Sequence, residues 1–199
     1  MPTAIFNHSL RVYLFALRLA RTANPAWIDE KRVDLLFTAC IFHDLGATDQ
    51  HNGEQRFEVE GADAAVAHLQ HYGYSGEETH DVWVAIALHT SAGIADRISE
   101  LALLVRTAVL IDFGELERLS RAATVHFGLD KDSVMEGWKA HQKEVEVSLP
   151  RAGIEKVLGD AITDQAMQKQ WKAPAASWPG VLLRAKLAAP ERTGVNPAF

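Results

Sequence analysis

The sequence contains very little cysteine: Cys40 is the only one among 199 residues, so no disulfide can form within the chain. It has no run of roughly 18 uncharged apolar residues, the length that a membrane-spanning helix needs. Its N-terminal segment carries several arginines and no small-residue cleavage site, unlike a signal peptide. These absences predict a reduced, cytoplasmic protein with no membrane partner.

The chain also has a deficit of positive charge. It carries 20 Lys and Arg residues against 26 Asp and Glu residues, a net charge of −6. Nucleic-acid-binding proteins usually present a basic face, so we expect no nucleic-acid partner. Hydrophobic residues make up 48% and charged residues 23%, which is typical of a globular protein with a sizeable core.

Signals for β-strands are weak, whereas apolar residues recur with helical spacing along most of the chain. Asp29 suits the N-cap of the second helix and Gly46 its C-terminal stop. Because residues 35–42 are apolar on nearly every side, this helix is expected at the centre. The pattern predicts an all-α protein with helices at about residues 3–21, 30–42, 57–71, 76–88, 98–113, 116–126, 131–147 and 162–172.

Residues 1–173 are expected to form one helical domain. Residues 174–199 hold four of the seven prolines, and we expect a tail packed on the domain or extending from it. In the first helix, the periodicity assigns Arg11, Arg18 and Arg21 to the polar face.

His43 and Asp44 directly follow a strongly apolar run, LLFTACIF. A buried histidine and carboxylate need partners, because an unpaired buried charge costs several kcal/mol, an order-of-magnitude value. A divalent metal is one partner that satisfies both. The dipeptide alone is weak support, because composition predicts roughly half a copy by chance. A second copy, His80-Asp81, follows a polar helix start and is interpreted as solvated.

Two more polar residues stand in apolar surroundings. His8 lies within the first predicted helix, and Asp112 closes the run VLID. Taken singly, His8 could be a hydrogen-bonded core histidine, and Asp112 could be a helix cap or salt-bridge partner. Taken with His43 and Asp44, they supply two imidazoles and two carboxylates, a set suited to Zn²⁺, Fe²⁺ or Mn²⁺.

The order His8, His43-Asp44, Asp112 resembles the HD-domain superfamily of helical metal-dependent hydrolases. Five segments look like the cyanamide hydratase branch of that superfamily and occur in the same order, over roughly residues 5–120: NHSLRVYLFA, LLFTACIFHDLGAT, RFEVEGADAA, AIALHTSAGIA and VLIDFGE. The resemblance implies a single HD-type helical bundle.

The resemblance also implies a zinc-dependent hydro-lyase that adds water to a small nitrile-like substrate, with cyanamide giving urea. By position, His8, His43, Asp44 and Asp112 would bind one Zn²⁺ per chain, with Fe²⁺ or Mn²⁺ as alternatives. Bound Zn²⁺ lowers the pKa of its water to about 7, so that metal-bound hydroxide is available at neutral pH. Asp44 would thus serve both the metal and catalysis.

The same resemblance assigns roles to residues beyond the metal ligands. His89 would act in catalysis and, with Thr90, bind the substrate. His89 could instead be a helix C-terminal histidine that interacts with free carbonyls. Arg56 and Glu60, four residues apart, would form an ion pair that contacts and orients the metal ligands. Alternatively, they could form an ordinary surface pair.

The sequence departs from HD enzymes with two metals, which usually supply further histidines. Phe57 stands at one such position, before Gly61, and His89-Thr90 stands where a His-His pair is used. One metal is therefore expected, and a two-iron oxygenase is disfavoured.

Two other functions stay open. A phosphohydrolase acting on a nucleotide or phosphomonoester would need cations near the metal, for which Arg11 and Arg56 are the obvious candidates. A binding module could keep the fold without turnover. In each case the expected partner is a small molecule, and the protein could form a homodimer.

Overall fold

The computed structural model describes residues 1–129 and 132–199, and within these ranges every regular element is helical. The predicted all-α fold class is confirmed. Short 3₁₀ turns connect several helices, including Leu45–Ala47 and Leu116–Arg118. The helices are α1 Thr3–Ala23, α2 Glu30–Phe42, α3 Phe57–His71, α4 Glu77–Leu88, α5 Ala95–Ile98, α6 Glu100–Asp112, α7 Arg121–His126, α8 Asp132–Ser148, α9 Ile154–Gln168 and α10 Trp178–Ala188.

The central helix is α6, not α2 as the sequence pattern predicted. All but two of the thirteen side chains of α6 are buried, and α6 packs against α1, α2 and α4. In α2, by contrast, Phe37 is 42% exposed. An apolar run therefore did not distinguish a helix surrounded by others from one with an open side.

Several predicted helix bounds differ from the structure. The predicted helix 162–172 begins eight residues earlier, because α9 starts at Ile154 directly after Gly153, which has a left-handed φ of 70°. The segment expected as a loop before α6 contains α5. The predicted start of the seventh helix, at residue 131, lies outside the described residues.

The crossing of α2 and α3 depends on two glycines. A Cβ on Gly61 would lie 2.5 Å from the carbonyl oxygen of Phe42, and one on Gly46 would lie 2.1 Å from that of Phe57. Gly46 therefore permits a close backbone approach rather than stopping α2, which ends at Phe42. This contact fixes the position of the next two residues, His43 and Asp44.

Residues 174–199, predicted as a tail, include α10, which packs against α9. Ser177 caps α10 by accepting a hydrogen bond from the Gly180 amide. Asn196 donates from Nδ2 to the carbonyl of Leu182, which brings the Phe199 ring against Phe113 and Trp178. None of the helices in the described part of the chain combines the length and apolar character required to cross a bilayer.

Candidate metal centre

Three potential ligand atoms converge between α1 and the end of α2. His8 Nε2 lies 3.1 Å from His43 Nε2 and 3.3 Å from Asp44 Oδ2, and His43 Nε2 lies 3.1 Å from the same Asp44 oxygen. Ligands around a tetrahedral ion with bonds near 2.0–2.1 Å are about 3.3 Å apart. All three side chains are buried, and together they form a group that could hold a metal ion.

The histidine tautomers suit metal binding. His43 Nδ1 donates to the Cys40 carbonyl at 2.7 Å, and His8 Nδ1 lies 2.6 Å from Asp112 Oδ2. Because a carbonyl oxygen only accepts, the proton of His43 lies on Nδ1, which leaves the Nε2 lone pair facing the group. Metal-ligating histidines are typically oriented in this way by a carbonyl or carboxylate on the other nitrogen.

Of the two carboxylates near His8, Asp44 has the fewer hydrogen bonds. Both of its oxygens are buried and accept no hydrogen bond. Burial by itself would raise the pKa of Asp44, but the neighbouring His43, with His8 and His89, holds that pKa well below its usual range. The imidazoles that face Asp44, His8 above all, partly balance its charge, and a divalent cation held by the same atoms would balance it fully. The donor set therefore fits a divalent metal.

The structure places Asp112 behind His8 rather than among the three converging atoms. Its Oδ1 accepts from Arg11 Nε at 2.6 Å, and its Oδ2 accepts from Arg11 Nη2 at 2.8 Å and contacts His8 Nδ1. Its predicted role as a fourth ligand stays a prediction. Arg11, assigned from periodicity to the polar face, is instead completely buried because it pairs with this carboxylate.

His8 and Asp112 shift each other's pKa values. Burial disfavours a charged imidazole, but the charge and hydrogen bond of Asp112, helped by Asp44, raise the pKa of His8 to about 9. Burial would also raise the pKa of Asp112, but the hydrogen bond from Arg11 and the charge of His8 lower it to about 2. Asp112 is therefore an anion that fixes the His8 ring in position.

His89 and Thr90 lie beside this group. His89 Nδ1 donates to the Ile86 carbonyl at 2.7 Å, and its Nε2 lies 3.5 Å from Asp44 Oδ1. Both residues, with Asp44, line a cavity of about 70 Å³. Much of the remaining wall is apolar and comes from α6, α9 and the C-terminal segment: Val109, Leu110, Phe113, Leu158, Trp178 and Phe199.

The expected ion pair between Arg56 and Glu60 is not formed. Arg56 Nε donates to Glu58 Oε2 at 2.9 Å, and Glu60 instead accepts from the Gln55 amide. Arg56 precedes α3, so the spacing rule for two residues on one helix does not apply to it. Glu58, which the sequence analysis missed, is completely buried and also accepts from Thr90 Oγ1 at 2.8 Å.

The sequence analysis also missed Arg106, which lines the cavity and is only 6% exposed. The available signal was a lone arginine in the apolar run LALLVRTAVLID, the same kind of signal that singled out Asp112. Phe57 packs its ring 5.7 Å from that of His89 and fills space on this side of the site. Within the described ranges, one group of potential metal ligands is present.

Comparisons with known proteins agree with this geometry. Residues 5–113 match the model of the HD domain family. Two curated proteins of Saccharomyces cerevisiae, cyanamide hydratase DDI2 and cyanamide hydratase DDI3, are each 25% identical over 115 residues, which cover 56% of this chain and 50% of each relative. The chain thus spans about half the length of the curated relatives it matches. No solved structure matches the chain.

Proposed function

This chain belongs to the HD-domain family, and on that premise we propose that it is a metal-dependent hydratase that adds water to a small nitrile-like substrate. Cyanamide, giving urea, is the first candidate because both curated relatives are cyanamide hydratases. The observation that carries the metal dependence is the convergence of the buried Asp44 carboxylate and two histidine Nε2 atoms on one point.

His8, His43 and Asp44 would hold one divalent ion, Zn²⁺ by preference and Fe²⁺ or Mn²⁺ as alternatives. When bound, it would supply Lewis acidity and lower the pKa of a water molecule to about 7. Asp112 holds His8 in the required orientation, and it would complete the ligand set if the sequence prediction is correct.

The reaction requires a proton to move from oxygen to nitrogen. A C–O bond forms at the nitrile carbon as one π pair of the C≡N bond passes to nitrogen, which takes up a proton to give isourea. The remaining O–H proton then moves to the same nitrogen as the C=O bond of urea forms, so the water supplies both protons that this nitrogen gains. Because His89 Nδ1 donates to a carbonyl, Nε2 is the acceptor nitrogen of the ring, and His89 lines the cavity; His89 would therefore take a proton from oxygen and deliver it to nitrogen.

Thr90 would position the substrate. Its hydroxyl donates to Glu58, so its oxygen lone pairs are free to accept a hydrogen bond from the amino group of cyanamide. Glu58 in turn is fixed by Arg56, which makes Thr90 part of a rigid network rather than a freely rotating hydroxyl.

The size of the cavity favours a small substrate, and neither arginine considered from the sequence as a phosphate ligand is available to one. About 70 Å³ suits a molecule of few heavy atoms. The arginines considered as phosphate ligands already hold carboxylates, since Arg11 pairs with Asp112 and Arg56 with Glu58. Arg106 and Arg118 also line the cavity, beside Asp96 and Glu115 respectively, so a nucleotide panel belongs in the test.

The test is urea formation from cyanamide by the zinc-loaded protein. Folded His43→Ala and Asp44→Ala variants should lose the activity, whereas His80→Ala should keep it. His80 is a matched control because it belongs to the second His-Asp dipeptide and is exposed. Activity retained without His43 or Asp44, or phosphate release from a nucleotide panel in place of urea formation, would overturn the hydratase assignment.

A further inference from the structure

Two arginines are buried close to the candidate metal centre, and their hydrogen bonding differs. Arg11 uses all three guanidinium nitrogens: Nε and Nη2 donate to Asp112, and Nη1 donates to the Leu149 carbonyl. In Arg106, Nη1 donates to the His89 carbonyl at 3.0 Å, but buried Nε has no hydrogen-bond partner. A guanidinium has five N–H donors, so Arg106 retains unused donor capacity.

The nearby carboxylate of Asp96 does not fill the unused donors of Arg106. Asp96 Oδ1 lies 3.4 Å from Arg106 Nε without hydrogen-bond geometry, and Asp96 Oδ2 accepts from the Gly93 amide at 2.7 Å. Asp96 therefore balances the charge of Arg106 while leaving a donor unfilled. Because Nε faces Asp96, the donor left for a further partner is Nη2, which makes no hydrogen bond to the described residues.

The location of Arg106 indicates what that partner is. Arg106 lines the same cavity as Asp44, His89 and Thr90, and its contact with the His89 carbonyl ties it to the helix end that carries His89. A small molecule beside Asp44 would therefore share the cavity with a fixed cationic donor.

We propose that Arg106 is a further catalytic residue of this cavity, one that donates a hydrogen bond to the nitrile nitrogen of the substrate as that atom gains electron density. This role rests on the proposed hydratase function. As the C–O bond forms, the π pair that moves to nitrogen creates an acceptor stronger than the nitrile itself, so the bond strengthens in the transition state. Arg106 stays protonated throughout, and the two protons that nitrogen gains come from the water by way of His89.

The competing explanation is structural, because Arg106 also connects α6 with the end of α4 and with α5. Three variants separate the two roles: Arg106→Lys keeps a charge, Arg106→Ala opens space for added guanidinium, and Arg97→Ala removes a neighbouring exposed arginine of α5 as a control. Zinc content and circular dichroism identify folded, loaded protein for each variant.

For Arg106→Ala we expect kcat for cyanamide to fall about 10²–10³-fold, the usual effect of removing one such donor, with a smaller change in KM. Arg106→Lys should recover little, because an ammonium does not reproduce the planar donor geometry. Millimolar guanidinium should restore part of the Arg106→Ala rate, and Arg97→Ala should match the wild type. A rate within threefold of wild type in Arg106→Ala, or a loss that follows zinc content and is not rescued, would overturn the proposal.

A second readout needs no turnover. Azide, a linear triatomic ligand, is titrated into the Co²⁺-substituted protein and followed by the optical spectrum. We expect azide to bind at least tenfold more weakly to Arg106→Ala than to wild type or Arg97→Ala, and equal affinity would count against the proposal. If wild type produces no urea but this difference is present, the hydratase assignment fails while the donor role of Arg106 in the cavity stands.

Discussion

Five buried polar side chains near the candidate metal centre fall into two groups according to how completely their hydrogen bonds are filled. His8, Arg11 and Asp112 saturate one another at distances of 2.6–2.8 Å. Asp44 and Arg106 keep unfilled atoms although both are nearly inaccessible. Since native proteins rarely leave buried polar atoms without partners, the first group stabilises the site, and we expect the second group, which lines the cavity, to contact a ligand.

The role of Asp112 can be tested with Asp112→Asn. An amide cannot supply the negative charge that holds the pKa of His8 high and orients its ring, so we expect zinc affinity to fall about 10–100-fold. Competition with a chelator of known affinity measures this change.

The exposed Asp160→Asn substitution is the matched control for Asp112→Asn and should leave zinc affinity unchanged. Retention of one zinc at reduced affinity agrees with Asp112 acting through His8. Complete loss of zinc from folded Asp112→Asn protein would instead make Asp112 a direct ligand, as the sequence predicted.

Sequence reasoning identified polar residues in apolar surroundings but not their partners. His8, His43 and Asp44 carried that signal, and the structure brings them together. Arg11 was assigned to the polar face because periodicity describes one helix at a time, whereas its partner Asp112 lies 101 residues away. A local spacing rule likewise selected Glu60 in place of Glu58.

At the scale of elements, the site depends on how closely α3 crosses the end of α2. Gly61 faces the carbonyl of Phe42, and Gly46 faces the carbonyl of Phe57. Any side chain at either position would push the two helices apart. The residues displaced first would be His43 and Asp44, which follow α2 directly.

We therefore expect Gly61→Ala to destabilise the protein by about 1–3 kcal/mol, the usual cost of overpacking, and to weaken zinc binding. Gly137→Ala, in the interior of α8, is the matched control because no atom lies within 4 Å of its added Cβ. It should be neutral or stabilising by up to about 1 kcal/mol, because alanine favours helix. Denaturant unfolding measures both, and equal stability of the two variants would contradict this packing.

The presence of most helices could be predicted from periodicity, because burying one apolar face imposes that spacing. Which helix is central could not be predicted, since α2 and α6 have similarly apolar runs and only the packing distinguishes them. The start of α9 was missed because it depends on the left-handed conformation of Gly153.

At the scale of the whole molecule, the candidate metal centre lies between two apolar clusters. In α1, His8 stands between Ile5, which belongs to the smaller cluster with α9 and α10, and Val12, which belongs to the larger cluster with α2, α4 and α6. Phe57 joins the smaller cluster beside His89. A metal bound here would therefore connect parts of the molecule that pack separately.

Metal removal should consequently lower the stability of the whole protein. A ligand that binds only the folded state stabilises it by about 4 kcal/mol at a free concentration one thousand times its Kd. We expect the Tm of chelator-treated protein to rise when zinc is restored, whereas the Tm of His43→Ala should not respond. Differential scanning calorimetry with matched buffers makes the comparison, and identical responses of the two proteins would show that zinc acts elsewhere.

The most direct measurement is the amount of metal per chain in purified wild-type and Asp44→Ala protein, determined by elemental analysis after gentle desalting. We predict close to one zinc per wild-type chain and none in folded Asp44→Ala, because the buried carboxylate of Asp44 is the charge that the cation compensates. Two metal ions per chain, or the same zinc content in both proteins, would contradict a single centre formed by His8, His43 and Asp44.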